Sequence, residues 1–347
     1  MAPWLRRVAV LGAGICAIPP ACSVSGVKLL TAQPRLARAV RSNAQLFKLY
    51  LAACWWPYCF YRRLWLSSRI RRTQREALYV RAEADQQDAE RVAATDLPPC
   101  ADSSARLVFI SDTHRCERWL SPPHGDVLIH CGDALLEDRD SGRRSEAAAQ
   151  GFARWLRAQP HRYKLLLGGN HDAVLERLGP AAVQRMLQGA DGEQGQALYL
   201  HNEIRRLRLG GGRVLSVGGT PHSDKNSAAS TNSAFQTTDG SDATSWLEHG
   251  SSDSRLDVLL SHGPGLAAGL GKGAAGAAAL SEWVSQHRPR LHAFGHVHAS
   301  FGVAWQQHGT AQGGEPGATL CINAAMADAA YAPLHPPVVV DLPLHAS

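Results

Sequence analysis

The chain has 347 residues, 45% of them hydrophobic and 19% charged. That is enough apolar material to bury the core of one large domain or two ordinary ones, and it excludes a disordered chain, a collagen and a disulfide mini-protein. The net charge of +6 hides a split: residues 1–75 hold thirteen Lys or Arg and no acid, whereas the chain from Glu76 onward holds twenty-three bases against thirty acids, so the body has no electrostatic footprint for nucleic acid and such a partner is not expected.

In chain order, residues 1–26 begin with Arg6 and Arg7, continue through an apolar stretch, Val8 to Ile18, and end in Pro19, Pro20 and small residues. This is the layout of a targeting segment. The early apolar block suits secretion, and the arginine-rich, acid-free composition suits an organellar address equally well. Gly12-Ala13-Gly14 imitates a dinucleotide fingerprint, but Pro19 and Pro20 would break the helix it needs and no acid follows before Glu76. Leu49 to Tyr61 is a second apolar run, rich in aromatics and followed by Arg62 and Arg63. It is shorter than the ~20 residues needed to cross a bilayer. Its Trp and Tyr beside Arg suit a membrane interface, so membrane contact is expected through residues 46–66. Residues 67–95 read as a polar helix of alternating charge, a spacer stopped by Pro98 and Pro99. Residues 1–100 are thus read as a basic targeting or membrane-proximal region plus spacer, dispensable for chemistry.

From Arg106 the texture becomes α/β. Strands are predicted at Arg106–Ser111, Asp126–Cys131, Tyr163–Leu167, Arg213–Val217, Asp257–Ser261, Leu291–Phe294, Thr319–Asn323 and Pro337–Leu342, and helices at Glu146–Gln159 and Ala173–Leu187. Two polar segments, 223–254 and 306–318, read as surface insertions within a domain spanning 101–347. Eight cysteines without a Cys-x-x-Cys spacing predict free thiols.

Five signals follow one another, four of them directly closing an apolar run. They are Asp112-Thr113-His114, Gly132-Asp133, Gly169-Asn170-His171-Asp172, Ser261-His262-Gly263 and Gly295-His296-Val297-His298. Strand ends in an α/β sheet converge on one edge. Carboxylates, an amide and imidazoles gathered there make an oxygen- and nitrogen-rich nest suited to Mn, Fe or Zn. In an extended Asp-x-His or His-x-His segment the two side chains would point the same way. A carboxylate shared by two metals ~3.5–4 Å apart is the arrangement that hydrolyses phosphate esters.

This order of motifs resembles the calcineurin-like metallophosphoesterase superfamily, and more narrowly its eukaryotic metallophosphoesterase-domain-containing subfamily. The narrower likeness is carried by the Gly-Thr-Pro of 219–221, the Arg-Pro-Arg-Leu-His-Ala-Phe-Gly-His-Val-His of 288–298, and Tyr331 with the His-Pro-Pro-Val-Val-Val-Asp-Leu-Pro ending at Pro343. The resemblance implies an α/β fold of two packed mixed sheets flanked by helices, a four-layer αββα sandwich. It implies two divalent metal ions (Mn, Fe, Zn or Mg), one held by Asp112, His114, Asp133 and His298, the other by Asp133, Asn170, His262 and His296, with Asp133 bridging. A hydroxide between them would attack phosphorus, His171 would serve the leaving oxygen, and Asp172 would orient His171. The implied function is a phosphoester hydrolase, most of all a phosphodiesterase, acting on a small-molecule phosphoester. The alternative is a scaffold or binding protein of the same fold held at a membrane by its N-terminal region. Where the subfamily carries an aromatic after its turn, Pro221 is followed by His222, a candidate phosphate contact. His124, His130, His161, His201, His292 and His335 are read as packing or surface residues.

Overall fold

A computed structural model describes residues 64–82, 89–136, 142–188, 195–224, 232–237, 244–248, 256–265, 269–270, 278–309 and 317–344. The targeting-like stretch 1–26, the Gly-Ala-Gly segment and residues 46–63 of the expected membrane contact lie outside them.

The elements run α1 (Ser67–Thr73), β1 (Glu76–Arg81), β2 (Ala89–Ala93), β3 (Ser104–Ile110), β4 (Val127–His130), α2 (Arg143–Arg157), β5 (Tyr163–Leu166), α3 (Ala173–Gln188), β6 (Gln196–Tyr199), β7 (Glu203–Arg208), β8 (Val214–Thr220), β9 (Ser223–Asp224), β10 (Gln236–Thr237), α4 (Ser245–Glu248), β11 (Val258–Ser261), α5 (Ala278–His287), β12 (Leu291–Phe294), β13 (Gly302–His308), β14 (Gly317–Asn323) and β15 (Val338–Pro343). Two mixed sheets result. One has the order β2-β1-β15-β3-β4-β5-β6 and the other β13-β14-β12-β11-β8-β7.

Alternation along the strands explains the layers. Leu107 and Phe109 of β3, Val127 and Ile129 of β4, and Val338 and Val340 of β15 meet Val258 and Leu260 of β11 and Leu291 and Ala293 of β12 in one core between the sheets. Val108, Ile110, Leu128 and Val339 face the other way, onto α2 and α3. Helix α2 offers Ala149, Phe152, Ala153 and Leu156, a stripe at the spacing of one helical face. Helix α3 breaks at Gly179 (φ 75°), with Pro180 opening its second half. Leu259 of β11 packs on Leu280, Trp283 and Val284 of α5. The four-layer αββα sandwich implied by the resemblance is therefore present. Among the described residues no helix is long and apolar enough to cross a membrane.

Three expectations are corrected. Residues 67–95 are not one helix: α1 ends at Thr73, and β1 and β2 join the seven-stranded sheet. Strand β1 pairs parallel to the C-terminal strand β15, Leu78 opposite Val338, and Ala77, Tyr79 and Val80 are buried. Burial on both faces overrode a charge pattern that also suits a solvated helix, and the sheet starts well before residue 101. The first polar insertion is not wholly a surface loop, since β9 and β10 pair within it and Ala234 and Phe235 are buried. The second is not wholly a loop either, since Gln306 to His308 pair with Gly317 to Thr319 in β13 and β14.

Candidate metal centre

The strands deliver five loops to one edge. Asp112 and His114 follow β3, Asp133 follows β4, Asn170 and His171 follow β5, His262 follows β11, and His296 and His298 follow β12. The Asp-x-His segment is not extended as expected. Asp112 (φ 53°), His114 (φ 46°), Asp133 (φ 55°) and His296 (φ 67°) all adopt left-handed backbone, a conformation costing a side-chain-bearing residue about 1–2 kcal/mol. Main-chain bonds hold it: Asp112 N–H donates to Gly132 O at 2.9 Å, His114 N–H to Asp133 O at 3.1 Å and Arg115 N–H to Ala134 O at 2.9 Å. The His296 N–H donates to both oxygens of Asp112, at 3.1 and 3.0 Å. Glycine is required where loops touch. A Cβ at Gly169 would strike Asp133 and His262, and one at Gly295 would strike Ser111 and Asp112.

Two donor groups overlap. Asp112, His114 and His298 form one; Asp112, Asp133 and His262 form the other; within each group the ligand atoms lie within 4.8 Å of one another. Asp112 belongs to both groups, and Asp133, which the resemblance implies as the bridging carboxylate, stands in the second. Asn170 joins the second group, its Oδ1 lying 3.0 Å from His262 Nε2 and 2.8 Å from His296 Nδ1. The structure thus brings together all seven residues named from the sequence as metal ligands.

The chemistry of these contacts fits a cation. His114 Nδ1 faces the Leu135 carbonyl at 3.1 Å and His298 Nδ1 the Asp328 carbonyl at 3.0 Å, so those nitrogens carry the donating N–H. The two Nε2 atoms then present lone pairs, 3.1 Å apart, with Asp112 Oδ1 at 3.3 Å from His298 Nε2. Burial holds His114 well below its ordinary value despite Asp133 nearby, so its own ring stays neutral. His262 Nδ1 donates to Cys131 O at 2.8 Å, and its Nε2 faces Asp133 Oδ2 at 3.4 Å. Burial opposes charge on His262, but Asp133 outweighs it and pushes the ring up to about 9. His296 Nε2 and Asn170 Nδ2 are buried without a hydrogen-bond partner. The converging lone pairs of His114 and His298 and the orphaned Nε2 of His296 are what a metal satisfies, whereas Asn170 Nδ2 is an N–H donor and Asn170 would bind through Oδ1.

The remaining named residues have distinct places. The His171 N–H donates to Asp133 Oδ1 at 2.8 Å, and its ring stands edge-on to His114 at 5.0 Å. Asp172 was expected to orient His171, but its carboxylate accepts main-chain N–H groups from Ala134, Leu135 and Gly169 at 3.3, 2.8 and 2.9 Å. It staples the loop after β4 to the loop after β5. Burial and the charge of Asp133 push it up to about 7. His222 lies against Asn202 Nδ2 at 3.3 Å and the Phe235 carbonyl at 3.2 Å, holding loops. His130 and His292 are buried packing residues as read, and burial takes both down to about 3.

Two residues were missed. Asn232 Nδ2 lies 2.8 Å from His171 Nε2, and the Tyr331 ring stands 4.7 Å from His114 and 5.2 Å from His298. Asn232 sits in a polar stretch with no local signal. Tyr331 had one, in the C-terminal block that carried the resemblance.

The family model for calcineurin-like phosphoesterases matches residues 105–300. The chain is 37% identical over 209 residues to a protein of Emericella nidulans named probable rhamnogalacturonate lyase C, an alignment covering 59% of this chain and 18% of that protein. It is 26% identical over 269 residues to human metallophosphoesterase domain-containing protein 1, covering 69% of this chain and 71% of the relative. A UPF0046 protein of Caenorhabditis elegans is 29% identical over 267 residues, covering 71% and 84%.

Proposed function

The chain belongs to the calcineurin-like phosphoesterase family, and from that premise we propose that it is a metal-dependent phosphodiesterase acting on a small-molecule phosphoester. The observation that carries this reading is the pair of overlapping donor groups at the strand ends, compatible with a dinuclear divalent site. The donors are carboxylate, amide and imidazole, which suit Mn, Fe, Zn or Mg. Asp112, His114, His298, Asp133, Asn170, His262 and His296 would hold the ions. Two such ions would supply positive charge for the phosphate oxygens and lower the pKa of a water that attacks phosphorus. His171, fixed by its main-chain bond to Asp133, stands beside the donors to serve the leaving oxygen. Asp172 keeps the loops of Asp133 and His171 at a fixed separation.

The test is hydrolysis of bis-4-nitrophenyl phosphate by the Mn-loaded protein. Asp133→Asn and His296→Ala are each expected to abolish metal-dependent turnover. A wild type no faster than these variants would overturn the reading. Metal content separates it from the scaffold alternative, which needs none: about two ions per purified chain belong to the enzyme.

A second proposal concerns location. At the end of the aromatic run, Trp65 is 82% and Leu64 46% exposed. An exposed Trp beside Arg62 and Arg63 supports an interfacial membrane contact through residues 46–66.

A further inference from the structure

The stretch 232–237 lies inside the polar insertion, yet it is anchored at the centre. The Phe235 N–H donates to Glu176 Oε1 at 2.7 Å. Its carbonyl receives the Ser223 N–H at 3.1 Å. Its ring lies on Gly168, where a Cβ would strike it. What this anchor delivers is the side-chain amide of Asn232, with Nδ2 2.8 Å from His171 Nε2. Nδ1 of His171 is shut off from solvent, and Nε2, the ring's other nitrogen, is the one beside Asn232.

We propose that Asn232 is a specificity-determining residue which, with His171 Nε2, forms the subsite for the leaving oxygen of the ester. This rests on the phosphodiesterase reading above. Two nitrogens 2.8 Å apart can both touch one oxygen, the three atoms making a near-equilateral triangle at ordinary hydrogen-bond lengths. An asparagine amide presents N–H or, turned over, C=O. Here its NH2 end faces the subsite, closing on the Nε2 lone pair before the ester binds and on the ester oxygen once Nε2 carries the proton. As water forms the new P–O bond and the old one breaks, the electron pair stays on the leaving oxygen. That oxygen takes the proton from Nε2 and a hydrogen bond from the amide. The proton lost by the attacking water goes to solvent, and His171 is reprotonated from solvent. An oxygen that leaves as a stable anion needs little of this help; a poorly leaving one needs all of it.

The experiment compares two diesters on the full Mn-loaded chain. Bis-4-nitrophenyl phosphate releases a stabilised phenolate, and diphenyl phosphate releases one that needs a proton. Asn232→Ala is expected to lower kcat on diphenyl phosphate by about tenfold or more, to change the nitrophenyl rate far less, and to keep the wild-type metal content. Asn232→Asp keeps the shape and removes the N–H; it should shift the same ratio the same way, and it carries the test if the alanine variant does not fold. Ser233→Ala, the exposed neighbour, should track wild type. Equal losses on both substrates, no loss, or a parallel fall in metal content would overturn the proposal. His171→Ala separates the two readings. If it shifts the ratio and the Asn232 variants do not, the Asn232 subsite fails alone. If the wild type has no metal-dependent turnover, the phosphodiesterase reading fails first.

Discussion

Gly295 shows how little space the centre leaves. A single methyl there would meet Ser111 and the carboxylate of Asp112, the group common to both donor sets. Gly295→Ala, chemically the mildest change, is therefore expected to lower metal affinity by ~10–100-fold, as loss of ligand support typically does. Metal titration of the variant followed by elemental analysis checks this, and a wild-type binding curve would show that the loop can yield. The candidate donors themselves were legible in the sequence because each sits in a short motif beside a glycine or a strand end. The backbone that aims them was not. An extended Asp-x-His would point both side chains one way, whereas Asp112 and His114 are left-handed and meet His298 through a turn. Asn232 was illegible for a different reason, since its role comes from a contact across 61 positions and no motif surrounds it.

Strand β1 changes what the N-terminal region does. Gln74, just before it, is buried and donates to the Pro333 and His335 carbonyls at 3.4 and 3.1 Å. These belong to the segment that carries Asp328 and Tyr331. The backbone of that segment also receives His298 Nδ1. Deleting residues 1–63 is expected to preserve folding and turnover. Deleting residues 1–100 removes β1 and β2, uncovers β15 and should yield an unfolded or inactive chain. Circular dichroism melts and diester turnover of the two truncations decide it, and an active protein lacking residues 1–100 would refute the structural role of β1. Strands β4 and β12 carry a second consequence. Burial holds His130 and His292 near 3, and it lowers His161, despite its bond to the Pro123 carbonyl, to about 4. Their ordinary value is 6.5. The unfolded chain binds protons that the native one refuses, so stability from these groups is full above about 6.5 and is lost as pH falls toward 4 and 3. Urea midpoints should drop steeply across that window, and the slope should be shallower in His292→Gln. A flat profile would contradict the burial.

The charge split separates a basic N-terminal segment from an acidic remainder. The basic segment before Glu76 runs up to the exposed Trp65, while the acidic remainder holds Asp112 and Asp133, whose charges two divalent ions would neutralise. Protein lacking residues 1–63 should lose co-sedimentation with vesicles containing phosphatidylserine while keeping its diester turnover. Retained vesicle binding would move the membrane contact elsewhere. Added salt should weaken binding of the full chain, since attraction between exposed charges is screened beyond a Debye length of about 8 Å at physiological ionic strength.

Alternation and motif order in the linear chain were enough to read eight strands, two principal helices, the α/β class and all seven donors, because hydrophobic period and metal-ligand chemistry are local properties. The order in which strands pair is not local. Insertion of β15 between β1 and β3 joins positions about 260 residues apart. Only burial of both faces selects that arrangement, and with it the strand identity of residues 76–81. The same holds at the centre. Which carboxylate is common to both donor groups, why Asp172 accepts main-chain bonds instead of turning to His171, and how Asn232 reaches His171 all depend on distances between loops. Those distances exist only once the two sheets have packed.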